Sequence, residues 1–210
     1  MWSKLHPYPE DLFDKIPGFR YGDNSIMLIG LVSDTHVRIP GTRASLSTLT
    51  AEELPPQIMK AFHGVDLILH AGDVYTLPVL DMLETVAPVL AAEGDDDPFE
   101  IVNDKRVKYE QTITVDGVTI WLSHYGEWPE NSPMKPPDVI VFGHSHRSTV
   151  ENNDGILRVN PGSPTFPQYQ FTLGTVGLLT VKSGKAEVEI IQLKGESRGP
   201  ITSGVPGRSA

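Results

Sequence analysis

Five apolar runs in this chain each stop at a short motif built from Asp, His and Gly. Ile26 to Val32 runs into Ser33-Asp34-Thr35-His36, and Asp66 to Leu69 runs into His70-Ala71-Gly72-Asp73. Val89 to Ala92 leads to Gly94-Asp95-Asp96-Asp97, Val118 to Ser123 leads to His124, and Asp138 to Phe142 leads to Gly143-His144-Ser145-His146. The first of these runs is apolar throughout, without alternation, which predicts a strand buried on both faces in a sheet covered by helices. Polar motifs just past such strands put chemistry at the carboxyl edge of an open α/β sheet.

The segments between the runs support that reading. Thr50-Ala51-Glu52-Glu53 has the form of a capping box and predicts a helix through about Phe62, with Pro55 and Pro56 fitting only its first turn. Leu77, Leu80, Leu83 and Val86 recur at helical spacing within Thr76 to Val86. The style then changes. Asp116-Gly117 lies between the runs Val107 to Val115 and Val118 to Ser123. Asn153-Asp154-Gly155 lies between Thr149 to Asn152 and Ile156 to Asn160, and Ser183-Gly184 between Leu173 to Lys182 and Ala186 to Leu193. These are hairpin signals, so the second half is mainly β. The expected architecture is two packed sheets with helices on at least the outside of the first.

Three segments follow. Residues 1–25 carry Trp2, Tyr8, Phe13, Phe19 and Tyr21 among Pro and Gly and read as an arm packed on the body, with an oligomer contact or a lid as alternatives. Residues 26–193 form the expected domain. Residues 194–210 are rich in Gly, Ser, Pro and Arg and read as a loose tail.

Composition narrows the functional classes. At 210 residues and 39% hydrophobic content the chain can bury one core. It has no cysteine, which removes disulfides, thiolate metal sites and cysteine nucleophiles. A net charge of −10 argues against a nucleic-acid partner. No apolar run reaches membrane-spanning length, and Met1 to Pro9 holds no apolar signal region, so a cytoplasmic protein with no membrane partner is expected.

The Asp and His residues of the five motifs suffice for two metal ions side by side. Such a site needs one bridging carboxylate, further oxygen and imidazole ligands for each ion, and an open side for water and phosphate. Mixed Asp and His shells suit Mn, Fe, Zn, Co or Ni better than Ca or Mg. In a strand, the spacing of Asp34 and His36 would put both side chains on one face.

Taken in order, S-D-T-H, H-A-G-D, E-G-D-D-D, L-S-H, F-G-H-S-H and N-P-G-S resemble the calcineurin-like metallophosphoesterase family, and within it the small bacterial and archaeal phosphodiesterases. The resemblance covers residues 26–193. It implies a four-layer α/β fold, a β-sandwich flanked by helices. It assigns Asp34, His36 and His146 to one metal and Asp95, His124 and His144 to the other, with Asp73 bridging. It implies two divalent ions, Mn foremost, and a bridging water or hydroxide that attacks the phosphorus of a small phosphate-ester substrate, diester or monoester. Asp73, Asp95, His124 and Asp96 are thereby the expected catalytic residues.

The chain departs from the family pattern at its third motif, where Asp95 stands in place of Asn and Asp96 in the place often held by a proton-donating His. Asp95 can bind metal but loses an amide donor and adds negative charge beside an anionic substrate. The same feature resembles the small retromer subunit, a protein-binding relative, and supports a weakly active, metal-binding scaffold as the alternative function. Asp97 is expected to orient a ligand, and Tyr125, where the family has Gly, either to narrow the cleft or to shift its loop. His70 reads as a supporting or core histidine, and His6 and His63 as surface residues. Arg147 is either a phosphate contact or a surface residue. Asn160-Pro161-Gly162-Ser163 is expected to support the His144 and His146 loop. Thr42, Arg43, Ser45, Ser47 and Thr48 form a polar loop near the entrance or a lead into the helix. A homo-oligomer is a possible assembly.

Overall fold

The computed structural model describes residues 26–37, 53–170 and 172–195. The aromatic arm, His6, the polar loop at 42–48, Thr50 to Glu52 and the tail beyond 195 lie outside the described residues.

Among the described residues, eleven strands form two sheets. The first contains β1 (Met27–Val32), β2 (Leu67–His70), β3 (Val89–Ala92) and β4 (Val107–Lys108) in parallel. Beyond β1, β10 (Thr175–Lys182) and β11 (Lys185–Gln192) continue it antiparallel. The second runs in the order β5 (Glu110–Val115), β6 (Val118–Ser123), β7 (Val139–Val141), β9 (Ile156–Pro161) and β8 (Ser148–Asn153). Its three central strands are parallel and its two edges antiparallel.

Period-two patterning decides which face goes where. Met27, Ile29 and Leu31 of β1 point between the sheets and meet Ile120 and Leu122 of β6 and Val139 and Val141 of β7 in one buried cluster. The other face of the first sheet, with Val32, Ile68, Val89 and Ala91, packs against helices α1 (Pro56–Ala61), α2 (Leu77–Glu84) and α3 (Phe99–Val102) through Ile58, Phe62, Val79, Leu80, Leu83 and Ile101. Both faces of the parallel strands are therefore dry, which is why their sequences are continuously apolar. The fold is the expected α/β sandwich flanked by helices. The described helices lie on the first sheet, while Trp128, from the loop after β6, packs edge-on against Trp121 of β6 at 5.2 Å. Among the described residues no helix is long and apolar enough to cross a membrane.

The three hairpin turns fall where the sequence puts them. Asp116-Gly117, Asp154-Gly155 and Ser183-Gly184 are two-residue links with positive φ at both positions, from 45° to 85°. That geometry matches the twist of the flanking strands and favours Gly at the second place.

Two expectations are corrected. The helix that carries Ile58 opens at Pro56, with Glu53 and Leu54 outside it and Pro55 extended (φ −59°, ψ 128°), and not at the Thr50 capping box. A proline keeps the residue before it out of the helical region, so consecutive prolines reset the helix start. The run Val107 to Val115 is two strands. β4 closes the first sheet, exposed Tyr109 marks the crossing, and β5 opens the second. Gln111 Nε2 donates to the carbonyls of Ala91 and Arg106 at this corner. Helix α3, a single turn, has no periodic signal in the sequence.

Candidate metal centre

All five motifs emerge from the carboxyl ends of parallel strands: β1, β2 and β3 in one sheet, β6 and β7 in the other. Their side chains converge at that shared edge. Asp34, His36, Asp73 and His146 form one buried group of potential ligand atoms, and Asp95, His124 and His144 form a second, more exposed one.

The side chains reach the centre through strained turns and not through strand alternation. β1 ends at Val32, and Asp34 and His36 beyond it have φ of 51° and 43°. Asp73, His144 and His146 are left-handed as well, at 57°, 66° and 55°. The shared-face argument for Asp34 and His36 is thus corrected: the two side chains meet because each follows a left-handed turn. Such residues cost roughly 1–3 kcal/mol each and persist only where the surroundings hold them.

The surroundings do hold them. Asp97 accepts four backbone N–H groups, from Asp73 (3.1 Å), Val74 (2.7 Å), Tyr75 (2.9 Å) and Gly94 (2.8 Å), and so clamps the Asp73 turn to the third motif. Gly94 permits this closeness, because a Cβ there would lie 2.1 Å from both the Asp73 nitrogen and its carboxylate. Asn160 donates from Nδ2 to the Gly143 carbonyl (2.6 Å) and to Ser145 Oγ (3.1 Å). Ser163 and Thr165 donate to the carbonyls of Asp34 and Thr35 at 2.7 and 2.6 Å. The segment 160–165 therefore braces the first and last motifs together, a wider role than the expected support of one loop.

Asp73 lies between the two groups. Its Oδ2 is 3.3 Å from His36 Nε2 and 3.6 Å from His124 Nε2. Its Oδ1 accepts the Asp96 backbone N–H at 3.1 Å. In the buried group, His36 and His146 face each other Nε2 to Nε2 at 3.1 Å, and Asp34 Oδ1 is 3.6 Å from His146 Nε2. Asp34 also accepts the His144 backbone N–H at 3.0 Å and the Ser33 hydroxyl. In the open group, Asp95 Oδ1 is 2.7 Å from His124 Nε2 and 3.2 Å from His144 Nδ1.

The electrostatics fit cations at both places. His124 Nδ1 lies 2.7 Å from the Ala71 carbonyl and His146 Nδ1 lies 2.9 Å from that of Phe166. Donating there leaves each Nε2 lone pair aimed into the centre, the usual arrangement of metal-binding histidines. Burial drives the Asp34 carboxyl above its ordinary range, against the pull of His146 and His124. Burial pushes Asp73 upward too, but the His36 hydrogen bond and the charges of His124 and His36 outweigh it and hold Asp73 low. For His124, burial works downward and is outweighed by Asp73 and Asp34, which raise it. Buried carboxylates and imidazole lone pairs facing one point are compensated together by a cation.

Asp96 is exposed, and its carboxylate accepts the Tyr75 hydroxyl at 2.9 Å. His70 is fully buried beneath the site, with Nε2 3.1 Å from Thr35 Oγ1. Tyr125 is 46% exposed and packs on the rings of His124 and His144. Arg147 and His63 are exposed. Sequence reasoning missed Tyr75, Phe166 and Tyr169, whose rings pack on His36 or His146. None of them sits in a recognisable motif, although Pro164 to Tyr169 follows directly on Asn160 to Ser163 and could have drawn attention on proximity alone.

Known proteins place this arrangement in a family. The model of the calcineurin-like phosphoesterase superfamily domain matches residues 27–184. A protein of Methanothermobacter thermautotrophicus described as a probable metallophosphoesterase is 32% identical over 174 residues, covering 79% of this chain and 92% of its own. Among solved structures, vacuolar protein sorting 29 from Cryptosporidium parvum superposes with a TM-score of 0.57 at 20% identity, covering 81% of this chain and 99% of that one. An archaeal phosphodiesterase superposes with a TM-score of 0.56 at 23% identity, covering 79% of this chain and all of that one. With the family model spanning most of its length and the two-sheet fold beneath it, the chain belongs to the calcineurin-like phosphoesterase superfamily.

Proposed function

We propose that this protein is a dinuclear metal-dependent phosphoesterase that hydrolyses small phosphate diesters. The observation that carries this reading is the position of Asp73 Oδ2, within 3.3 Å of a histidine of one group and 3.6 Å of a histidine of the other. One carboxylate shared between two donor sets is what a pair of adjacent cations requires.

In this reading Asp34, His36 and His146 hold one ion and Asp95, His124 and His144 the other, with Asp73 common to both. The nitrogen and oxygen donors suit Mn, Fe, Zn, Co or Ni, and we favour Mn. Such ions supply an acidified water and neutralise charge on phosphoryl oxygens. The chain's own part is orientation. The Asp97 clamp and the Asn160 to Thr165 brace hold the left-handed turns, so the donors need no rearrangement when charge develops. The buried group anchors, while Asp95 and His144, both exposed, leave the second side open to substrate. The archaeal phosphodiesterase of the same fold agrees with the diester reading.

The test is hydrolysis of bis(p-nitrophenyl) phosphate with added Mn, beside p-nitrophenyl phosphate and the Asp73→Ala variant. Metal-dependent turnover that favours the diester and disappears in the variant is expected. A preference for the monoester would overturn the diester assignment.

Asp95 supports a second reading, a metal-binding scaffold with little activity. Its carboxylate fills the place between His124 and His144 where an amide donor would meet the phosphate. Vacuolar protein sorting 29 shares the fold. Two bound metals with no turnover of either ester would favour this reading.

A further inference from the structure

Two exposed tyrosines flank the metal centre, one against each group of donors. Tyr169 lies on the His146 ring at 4.6 Å and 26°, a stacked pair, and remains 63% exposed. Tyr125 packs on His144 at 4.7 Å and on His124 at 5.2 Å and remains 46% exposed. Each keeps part of its side chain in water beside the donor groups, where a planar group can cover it.

The backbone under Tyr169 is strained. Gln168 and Tyr169 are consecutive left-handed residues, φ 50° and 61°, inside the short turn Pro167–Tyr169. Two adjacent non-glycine residues in that region are costly, and such strain collects at functional positions. The Gln168 backbone N–H donates to the His146 carbonyl at 3.1 Å, which ties this turn to the metal-facing histidine. Beside it a cavity of about 230 Å³ is lined by His146, Gln168, Gln170, Thr172 and Gln192, with no Asp, Glu, Lys or Arg in its lining.

From this placement we infer that the substrate is a small phosphodiester bearing planar heteroaromatic ester groups, a nucleotide diester, with a base stacked on Tyr169 or Tyr125. The inference rests on the phosphodiesterase reading. A phosphate seated between the two donor groups has its ester arms leaving on either side, and each side presents an aromatic face. The cavity beside Tyr169, lined without Asp, Glu, Lys or Arg, suits the edge of a base or a sugar hydroxyl. The chain's net charge of −10 works against tracking a long polyanionic backbone, so the substrate is short. A third tyrosine, Tyr75, packs on His36 at 4.7 Å, but its hydroxyl is tied to Asp96 and it serves the wall.

The test compares thymidine 5′-(p-nitrophenyl phosphate) with methyl p-nitrophenyl phosphate. The two share a leaving group and differ only in the ester that stays. The wild type should prefer the nucleoside ester in kcat/KM by about tenfold or more, mainly through KM. Tyr169→Leu or Tyr125→Leu should cut that ratio about tenfold, while the Phe variants keep it. Taking a ratio cancels any general loss from a disturbed metal centre. Equal kcat/KM for the two esters in the wild type, or an undiminished ratio in both Leu variants, overturns the inference while leaving the phosphodiesterase reading intact. Calorimetric binding of a dinucleoside methylenephosphonate, in which a bridging CH2 blocks hydrolysis while the phosphonate keeps its negative charge, to the Mn-loaded protein separates the remaining cases. If neither ester turns over but the dinucleoside binds and loses affinity in the Leu variants, the subsite stands and the hydrolase reading fails. If neither ester turns over and the dinucleoside does not bind, both fail.

Discussion

His36 and His146 lie 110 residues apart in the chain, and their Nε2 atoms lie 3.1 Å apart in the fold. Asp73 Oδ2 approaches the first at 3.3 Å and Asp34 Oδ1 the second at 3.6 Å. His146 Nδ1 is committed to the Phe166 carbonyl, and His36 Nδ1 is buried without a hydrogen-bond partner. Two imidazole Nε2 atoms and two carboxylate oxygens thus crowd one buried point, an arrangement that a cation there would compensate. Metal should therefore stabilise the fold. A ligand at 100 to 1,000 times its Kd adds about 3–4 kcal/mol. For a domain of this size that is a shift in Tm of roughly 5–15 °C. Thermal unfolding with Mn and after chelation measures it, and an unchanged Tm would speak against any metal in the buried group.

Asp97 should matter more to stability than its place outside the two donor groups suggests. Its carboxylate accepts four backbone N–H groups at 2.7 to 3.1 Å, including that of Asp73. Removing it strands those donors, at about 1–3 kcal/mol for each that water cannot reach. Asp97→Ala is expected to destabilise by about 3 kcal/mol or more in urea unfolding, and to weaken metal binding because the Asp73 turn loosens. Asp97→Asn should fall between, since one amide oxygen replaces two carboxylate oxygens. A loss below about 1 kcal/mol for the Ala variant would mean the clamp is dispensable.

How much of this was legible in the sequence depends on the kind of information involved. The parallel strands show as apolar runs because both their faces are dry, and Asp116-Gly117, Asp154-Gly155 and Ser183-Gly184 announce hairpins because few residues accept positive φ. The donor residues are legible because Asp and His recur just beyond those strands. The means of delivery was not: Asp34 and His36 converge through left-handed turns, and no local pattern in Ser33 to His36 specifies such turns. The split of Val107 to Val115 was equally hidden, because a strand that changes sheets keeps the same alternation on either side of Tyr109. Tyr169 reaches His146 only through tertiary packing.

His70 should make the fold acid-sensitive. Complete burial holds its imidazole down at about 3, against the pull of Asp73. The unfolded chain would take up a proton near pH 6.5. Between those values the unfolded state binds the extra proton, so stability falls as pH drops from about 6.5 toward 3, by up to about 1.4 kcal/mol per unit. His70→Gln keeps a group able to hydrogen-bond to Thr35 Oγ1 and removes the titration. Urea unfolding of the metal-free protein at pH 7.5 and pH 5.5 should show a smaller loss in the variant than in the wild type. Identical losses would mean His70 is protonated in the folded state as readily as in the unfolded one.

On the phosphoesterase reading, Asp95 would set how good an enzyme the open half of the site is. Its Oδ1 lies between His124 Nε2 at 2.7 Å and His144 Nδ1 at 3.2 Å, so a carboxylate stands where substrate charge must approach. With a second cation bound there, the carboxylate would hold it more tightly but soften its Lewis acidity and repel the phosphate. Asp95→Asn exchanges these effects. It is expected to weaken binding at the second metal place about tenfold and, at saturating Mn, to raise diester kcat severalfold. Metal titration by calorimetry and steady-state kinetics at two Mn concentrations separate the two effects. If the wild type is inert and Asp95→Asn hydrolyses the diester, the natural carboxylate is the device that keeps a phosphoesterase fold from acting, and the scaffold reading gains. If both are active and Asp95→Asn is slower at every Mn concentration, Asp95 is an ordinary ligand and its charge is part of the working site.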